Sequence, residues 1–176
     1  MNKSATVDLV RGEADLIQIL ELQRNNLSFT EDGFVTVVHS LELLRQFHQT
    51  MPSVVARHEG RVVAYALSMP RRAVELVPVL DPFFHRIEKL PILRDQRWYV
   101  MGQVCVAQGW RGQGLFDAMY RLHREHFSSD FDWLVTEISL RNPRSVKAHQ
   151  RVGFVEIDHF VDETDEWSVV GLRLGK

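Results

Sequence analysis

The apolar residues of this chain repeat at two periods, and the changes of period mark out its elements. Ala5 to Val10 is expected to form a short strand. Gly12 to Leu27 carries Ala14, Ile17, Leu20, Leu22 and Leu27 at roughly helical spacing, and Glu31-Asp32-Gly33 breaks the pattern. A second helix is expected near Ser40 to His48, with Leu41, Leu44 and Phe47 on one side. Beyond Pro52, the stretches Ser53 to Arg57 and Val62 to Met69 are rich in Val, Ala and Tyr. Glu59-Gly60 between them predicts a hairpin turn.

Pro70 to Arg97 differs in composition, because four of the six prolines lie there around a short helical stretch, Phe83 to Leu90. It reads as a long connection between strands. Such connections are often functional, and a surface insertion with no part in chemistry is the other reading. Trp98 to Val106 predicts a long strand, followed by a turn and an amphipathic helix. On that helix Leu115, Ala118, Met119 and Leu122 face one way, and Asp117, Arg121, Arg124 and Glu125 another. Asp132 to Leu140 is a further strand. Asn142-Pro143 then signals a helix start, since Asn is a favoured cap and Pro a favoured first residue. Gly153 should end that helix. Phe154 to Val161 and Glu166 to Leu174 close the chain as a hairpin around the acidic turn Asp162 to Asp165, which reads as a solvated tip. There is no internal repeat and no low-complexity segment.

The 176 residues fit one domain, 1–176, with ordinary hydrophobic and charged fractions of 45% and 25%. A formal charge of −2 disfavours nucleic acid as a bulk partner. No apolar run approaches the ~20 residues that span a bilayer, and the N-terminus lacks a secretory apolar core, so a cytoplasmic protein without membrane partners is expected. Cys105 is the only cysteine, which leaves no internal disulfide and no cysteine metal cluster. His123 and His126 stand three apart on a helix but have no third ligand. Solvent exposure is the better reading for them, and no metal is expected.

The chemistry gathers in Gln103 to Phe127, QVCVAQGWRGQGLFDAMYRLHREHF. Gly112 and Gly114 sit where strand gives way to helix, at amides that have no partner in the helix and carry the positive end of its dipole. Glycine lets a phosphate approach such backbone closely, and Arg111 adds a full positive charge. A phosphate or pyrophosphate ligand is therefore expected. The sequence lacks the Gly-Lys-Ser/Thr ending of a nucleotide-triphosphate loop. It also lacks the third glycine of a dinucleotide fingerprint, where Asp117 stands.

Arg111-Gly112-Gln113-Gly114-Leu115-Phe116 after Val104-Cys105-Val106 resembles the signature of the GNAT superfamily of acetyl-CoA-dependent N-acetyltransferases. A second block, from Asn142-Pro143-Arg144-Ser145 through His149 to Gly153-Phe154, resembles that family's later motif. The resemblance implies an α/β (α+β) fold: a mixed, mostly antiparallel central sheet of six to seven strands flanked by helices. Two positions depart from the pattern. Phe116 stands where the family has Gly or Ala, and His149 where many members have a proton-donating tyrosine.

The resemblance further implies direct transfer of acetyl from acetyl-CoA to a primary amine. The amides of Arg111, Gly112, Gln113, Gly114 and Leu115 would hold the pyrophosphate. Val104, Cys105 and Val106 would lie beside the pantetheine arm, where a backbone N–H would meet the thioester carbonyl. Asn142 and Ser145 would bond the pantetheine, and His149 would protonate the departing thiolate. Glu137 is the best candidate for the base that neutralises the amine, whose free pKa of ~10.4 keeps it protonated at neutral pH. Each residue also has a plainer role: Val104 and Val106 in the core, Cys105 as a small buried side chain, Glu137 as a paired carboxylate, Asn142 as a cap, His149 as a packed ring. At the level of function, the alternative to an enzyme is a non-catalytic acyl-CoA-binding sensor. The acceptor, small molecule or peptide, is left open, as is the oligomeric state.

Overall fold

The computed structural model describes residues 4–27, 35 and 37–175. The breaker Glu31-Asp32-Gly33 lies outside the described residues. Seven strands form one sheet: β1 (Thr6–Leu9), β2 (Val54–His58), β3 (Arg61–Met69), β4 (Trp98–Val106), β5 (Trp133–Ser139), β6 (Val155–Val161) and β7 (Glu166–Arg173). Their order is β1-β2-β3-β4-β5-β7-β6. Every neighbouring pair is antiparallel except β4 and β5. That one parallel pair needs a crossover, which the helix between them supplies.

Helices cover both faces: α1 (Glu13–Asn25), α2 (Leu41–Thr50), α3 (Ala73–Leu76), α4 (Asp81–Glu88), α5 (Leu115–Phe127) and α6 (Pro143–Val152). One core packs α1, α2 and the β3–β4 connection against the face bearing Tyr65, Cys105, Val135 and Val169. The other packs α5 against Ala64, Tyr99, Met101 and Leu134. The two-residue alternation of strands and the helical stripe together dictate this layering, because each element has a single apolar side to bury.

The local signals explain most boundaries. Glu59 and Gly60 take φ of 48° and 78°, the pair of left-handed residues that a primed hairpin turn requires. The Ser40 hydroxyl accepts Leu43 N–H at 3.1 Å and caps α2. The helix expected at Phe83 starts earlier, at Asp81, because Pro82 fits the first turn, where no N–H is needed. Phe83, Phe84 and Ile87 of α4 are buried, and Arg86 forms an ion pair with Asp158 of β6, so α4 fastens the long connection to the fold. The ion pair of Arg57 with Asp15, in which Arg57 is 8% exposed, fastens α1 to β2.

One expectation is overturned. His123 is not solvent exposed but fully buried, with Nδ1 2.8 Å from the Tyr99 hydroxyl. Burial, with a smaller contribution from His126, lowers its pKa to about 3. The ring lies among the residues that α5 buries, beside Met119, Tyr120 and Phe127.

Candidate functional site

The site originates in an extra residue. Along β3 and β4 the register passes from Leu67↔Gln103 to Ser68↔Met101, which leaves Gly102 as a bulge on β4. A Cβ there would lie 1.8 Å from Met69 Sδ, so any larger residue requires the Met69 side chain to move. A bulge bends its strand and strengthens its twist. β4 accordingly pairs with β5 only over Trp98–Val100 and Trp133–Val135, although the strands run on to Val106 and Ser139. Beyond Val100 the two part, and Gln103 to Val106 keep strand partners on the β3 side alone. The gap opens at the carboxyl ends of two parallel strands, the usual place for a ligand in a sheet of this kind.

The turn after β4 leads to the mouth of that gap. Gly112 and Gly114 take φ of 74° and 75°, so an L side chain at either position would be strained. A Cβ at either would meet nothing within 4 Å, so the space beside them is open. Gly114 caps α5 without a side-chain bond. Among the described residues, none of the amides from Gly112 to Asp117 has a recorded acceptor. Leu115 is buried and anchors the helix start, while Gln113 closes the turn through Nε2 to Gly109 O at 3.2 Å. Arg111 turns back, donating from Nε to Val106 O at 3.2 Å. A row of free amides at a helix N-terminus fits an anionic group such as a pyrophosphate.

Across the gap stands Glu137, half-buried on β5 and opposite Val169 of β7. Burial, and after it the charge of Asp162, pushes its pKa up to about 7. Asp162 stays ionised because Thr164 and the Asp165 amide donate to it. The acidic turn is thus more than a solvated tip: Asp165 also accepts from Ser139 Oγ and Arg141, which ties the β6–β7 hairpin to the end of β5. Cys105 faces the same core as Glu137, and burial raises its pKa to about 11. That leaves an unreactive thiol. Val104 and Val106 pack on the α5 face.

The second block is less open than expected. Asn142 Oδ1 accepts Ser145 N–H at 3.0 Å, so its oxygen serves the cap of α6. His149 is 1% exposed, with Nδ1 2.8 Å from Ser145 O and Nε2 3.1 Å from the Tyr120 hydroxyl. A carbonyl can only accept, so Nδ1 carries the hydrogen and the hydroxyl donates to Nε2. Burial, partly offset by the bond to Ser145 O, lowers its pKa to about 4. This arrangement argues against His149 as proton donor: the ring is neutral and both nitrogens are engaged. Phe116, the other departure, packs its ring 4.8 Å from that of Tyr120 and 5.1 Å from that of His149, filling the α5–α6 seam.

The sequence reading missed Gly102 and Tyr120, and it singled out Asp162 without its effect on Glu137. A lone glycine inside an apolar strand is a bulge signal, so Gly102 was open to discovery. The contacts of Tyr120 and Asp162 depend on tertiary packing. No group of three metal-ligating side chains occurs among the described residues.

No protein-family model matches the sequence, and no curated protein matches it. Solved structures do match the fold. A candidate acetyltransferase of the GNAT family from Desulfovibrio desulfuricans is 15% identical with a TM-score of 0.68, over 97% of this chain and 99% of that one. A candidate acetyltransferase from Salmonella typhimurium, solved with its cofactor acetyl-CoA, is 18% identical with a TM-score of 0.67, over 97% and 94%. The ribosomal-protein-S18-alanine N-acetyltransferase from Escherichia coli is 14% identical with a TM-score of 0.64, over 98% and 96%. The seven-stranded mixed sheet flanked, among the described residues, by six α-helices is therefore the fold of the GNAT acetyltransferases.

Proposed function

We propose that this chain is an N-acetyltransferase that moves acetyl from acetyl-CoA directly to a primary amine. The observation that carries the reading is Glu137, a half-buried carboxyl with a pKa raised to about 7, at a gap whose mouth is lined with free amides. Similarity to a structure holding acetyl-CoA supports the choice of cosubstrate. Acetyl-CoA supplies the activated thioester. The amides from Gly112 to Leu115 and the α5 dipole would hold the pyrophosphate, whereas the Arg111 amide already donates to Gln108 O at 3.4 Å. The open edge of β4 would offer the backbone N–H groups of Val104 and Val106 to the carbonyl oxygen, with Cys105 between them turning its amide toward β3 as Ala107 does. Asn142 Nδ2, and Ser145 Oγ if it gives up its 3.3 Å contact with His149 Nδ1, would serve the pantetheine.

Glu137 would take the proton from the acceptor ammonium, the step for which a pKa near the working pH is suited. The Cys105 thiol, kept protonated, does not compete as an acyl carrier, so attack by the amine is direct. The acceptor would be an amine on a small molecule or a peptide. An N-acetyltransferase of a ribosomal-protein alanine shares the fold, which makes a peptide N-terminus a reasonable first probe.

The test is release of free CoA thiol from acetyl-CoA in the presence of amines: an alanine-starting peptide, a lysine peptide, a polyamine and an aminoglycoside. Amine-dependent thiol release supports transfer. CoA binding with no release on any amine would favour the sensor reading.

A further inference from the structure

Two glutamines tie Val37–His39, the segment that leads into α2, to the body of the fold. From α1, fully buried Gln23 accepts His39 N–H on Oε1 at 2.9 Å and sets Nε2 3.0 Å from His39 Nδ1. From β4, Gln103 donates through Nε2 to Val37 O at 2.9 Å, and its Oε1 accepts the Tyr65 hydroxyl at 2.6 Å.

The Gln23 contact fixes its own protons. Oε1 is held by a backbone donor, so the group facing the ring is the NH2 and Nδ1 must accept. His39 then carries its hydrogen on Nε2 and is neutral. An imidazolium would put a second N–H against the NH2 at this distance, and turning the amide would only move the clash to the His39 backbone N–H. No charged group moves the balance back: burial alone acts on His39, and it lowers the pKa. The Phe47 ring of α2 lies edge-on at 6.2 Å. The other titratable group at Gln23 is Tyr65, which burial keeps as a neutral phenol.

We propose that Gln23 and His39 form a proton-operated clamp, which docks Val37–His39 on α1 while His39 is neutral and releases it when His39 is protonated. The sign follows from linkage. A histidine whose folded pKa is lowered contributes fully above its unfolded value of about 6.5, and that contribution is lost as pH falls from there through the folded value. Release would also free Gln103, which lies on the sheet face that carries Cys105 and Glu137. The clamp does not depend on acetyl transfer, and either can fail without the other.

The experiment is amide hydrogen exchange at His39, corrected for intrinsic rates, with the His39 ring titration followed by NMR on the whole chain between about pH 7.5 and 5.5. In the wild type, protection of His39 should drop severalfold, to at most about tenfold, over this range. In Gln23→Glu, whose carboxylate accepts from both His39 donors, the ring should titrate above about 6.5 and protection should persist. In His39→Asn, whose Oδ1 can replace Nδ1 as acceptor without titrating, protection should not change with pH. Equal wild-type protection at both pH values would overturn the clamp, and so would an acid loss that survives in His39→Asn. If Gln23→Glu does not fold, the comparison with His39→Asn decides.

Discussion

The Tyr120 hydroxyl lies 3.1 Å from His149 Nε2, between two side chains that are each 1% exposed. This pair joins α5 to α6 and commits the histidine to the interior. His149→Ala leaves the hydroxyl without an acceptor and should cost about 1–3 kcal/mol of stability, read as a lower denaturation midpoint. Tyr120→Phe removes the donor and should lower stability without abolishing turnover. A His149 variant of wild-type stability that had lost turnover would instead restore the proton-donor role.

Glu137 should set the pH profile of the reaction. Its base form is the deprotonated one, so kcat should rise with pH through about 7, the pKa to which burial and Asp162 raise it. In Glu137→Gln that limb should vanish and the rate above neutrality should fall by roughly 10²–10⁴. Stability carries the opposite sign. A carboxyl with a raised folded pKa favours the fold at low pH and loses that contribution as pH rises from its unfolded value through about 7, so the glutamine variant should be the more stable form above neutrality. Matching rate profiles for variant and wild type would place the base elsewhere.

The bulge should be separable from the turn. Gly102→Ala sets a methyl against Met69 Sδ, an overpacking expected to cost about 1–3 kcal/mol. Adding Met69→Ala should recover part of that loss. A strictly additive pair, measured by denaturation, would mean that the two positions do not touch.

These residues also mark how far the fold and site were legible in advance. β4 follows its apolar run from Trp98 to Val106, and α6 starts and stops where Asn142-Pro143 and Gly153 direct, because those signals act within a few residues. Positive φ at Gly112 and Gly114 was legible for the same reason. The parting of β4 from β5 was not, since it depends on which residue of β3 faces Gly102. Nor was the burial of His123, because a histidine in a helical stripe reads as polar until its tyrosine partner is known; for His149 a packed ring was one of two readings, and only its contact with Tyr120 favours it. The raised pKa of Glu137 likewise comes first from burial and then from Asp162 in the β6–β7 turn, and both depend on tertiary packing.

The central claim, that the gap between β4 and β5 and the amides above it receive acetyl-CoA, is tested most directly by adding acetyl-CoA to labelled protein and following backbone amide shifts, with Gly114→Val in parallel. The account predicts the largest shifts at Gly112 to Asp117 and at Val104 to Val106. It also predicts a roughly 10- to 100-fold weaker affinity in a variant that still folds, the loss expected from one or two charge-assisted hydrogen bonds. Shifts confined to other surfaces, or unchanged affinity in Gly114→Val, would contradict it.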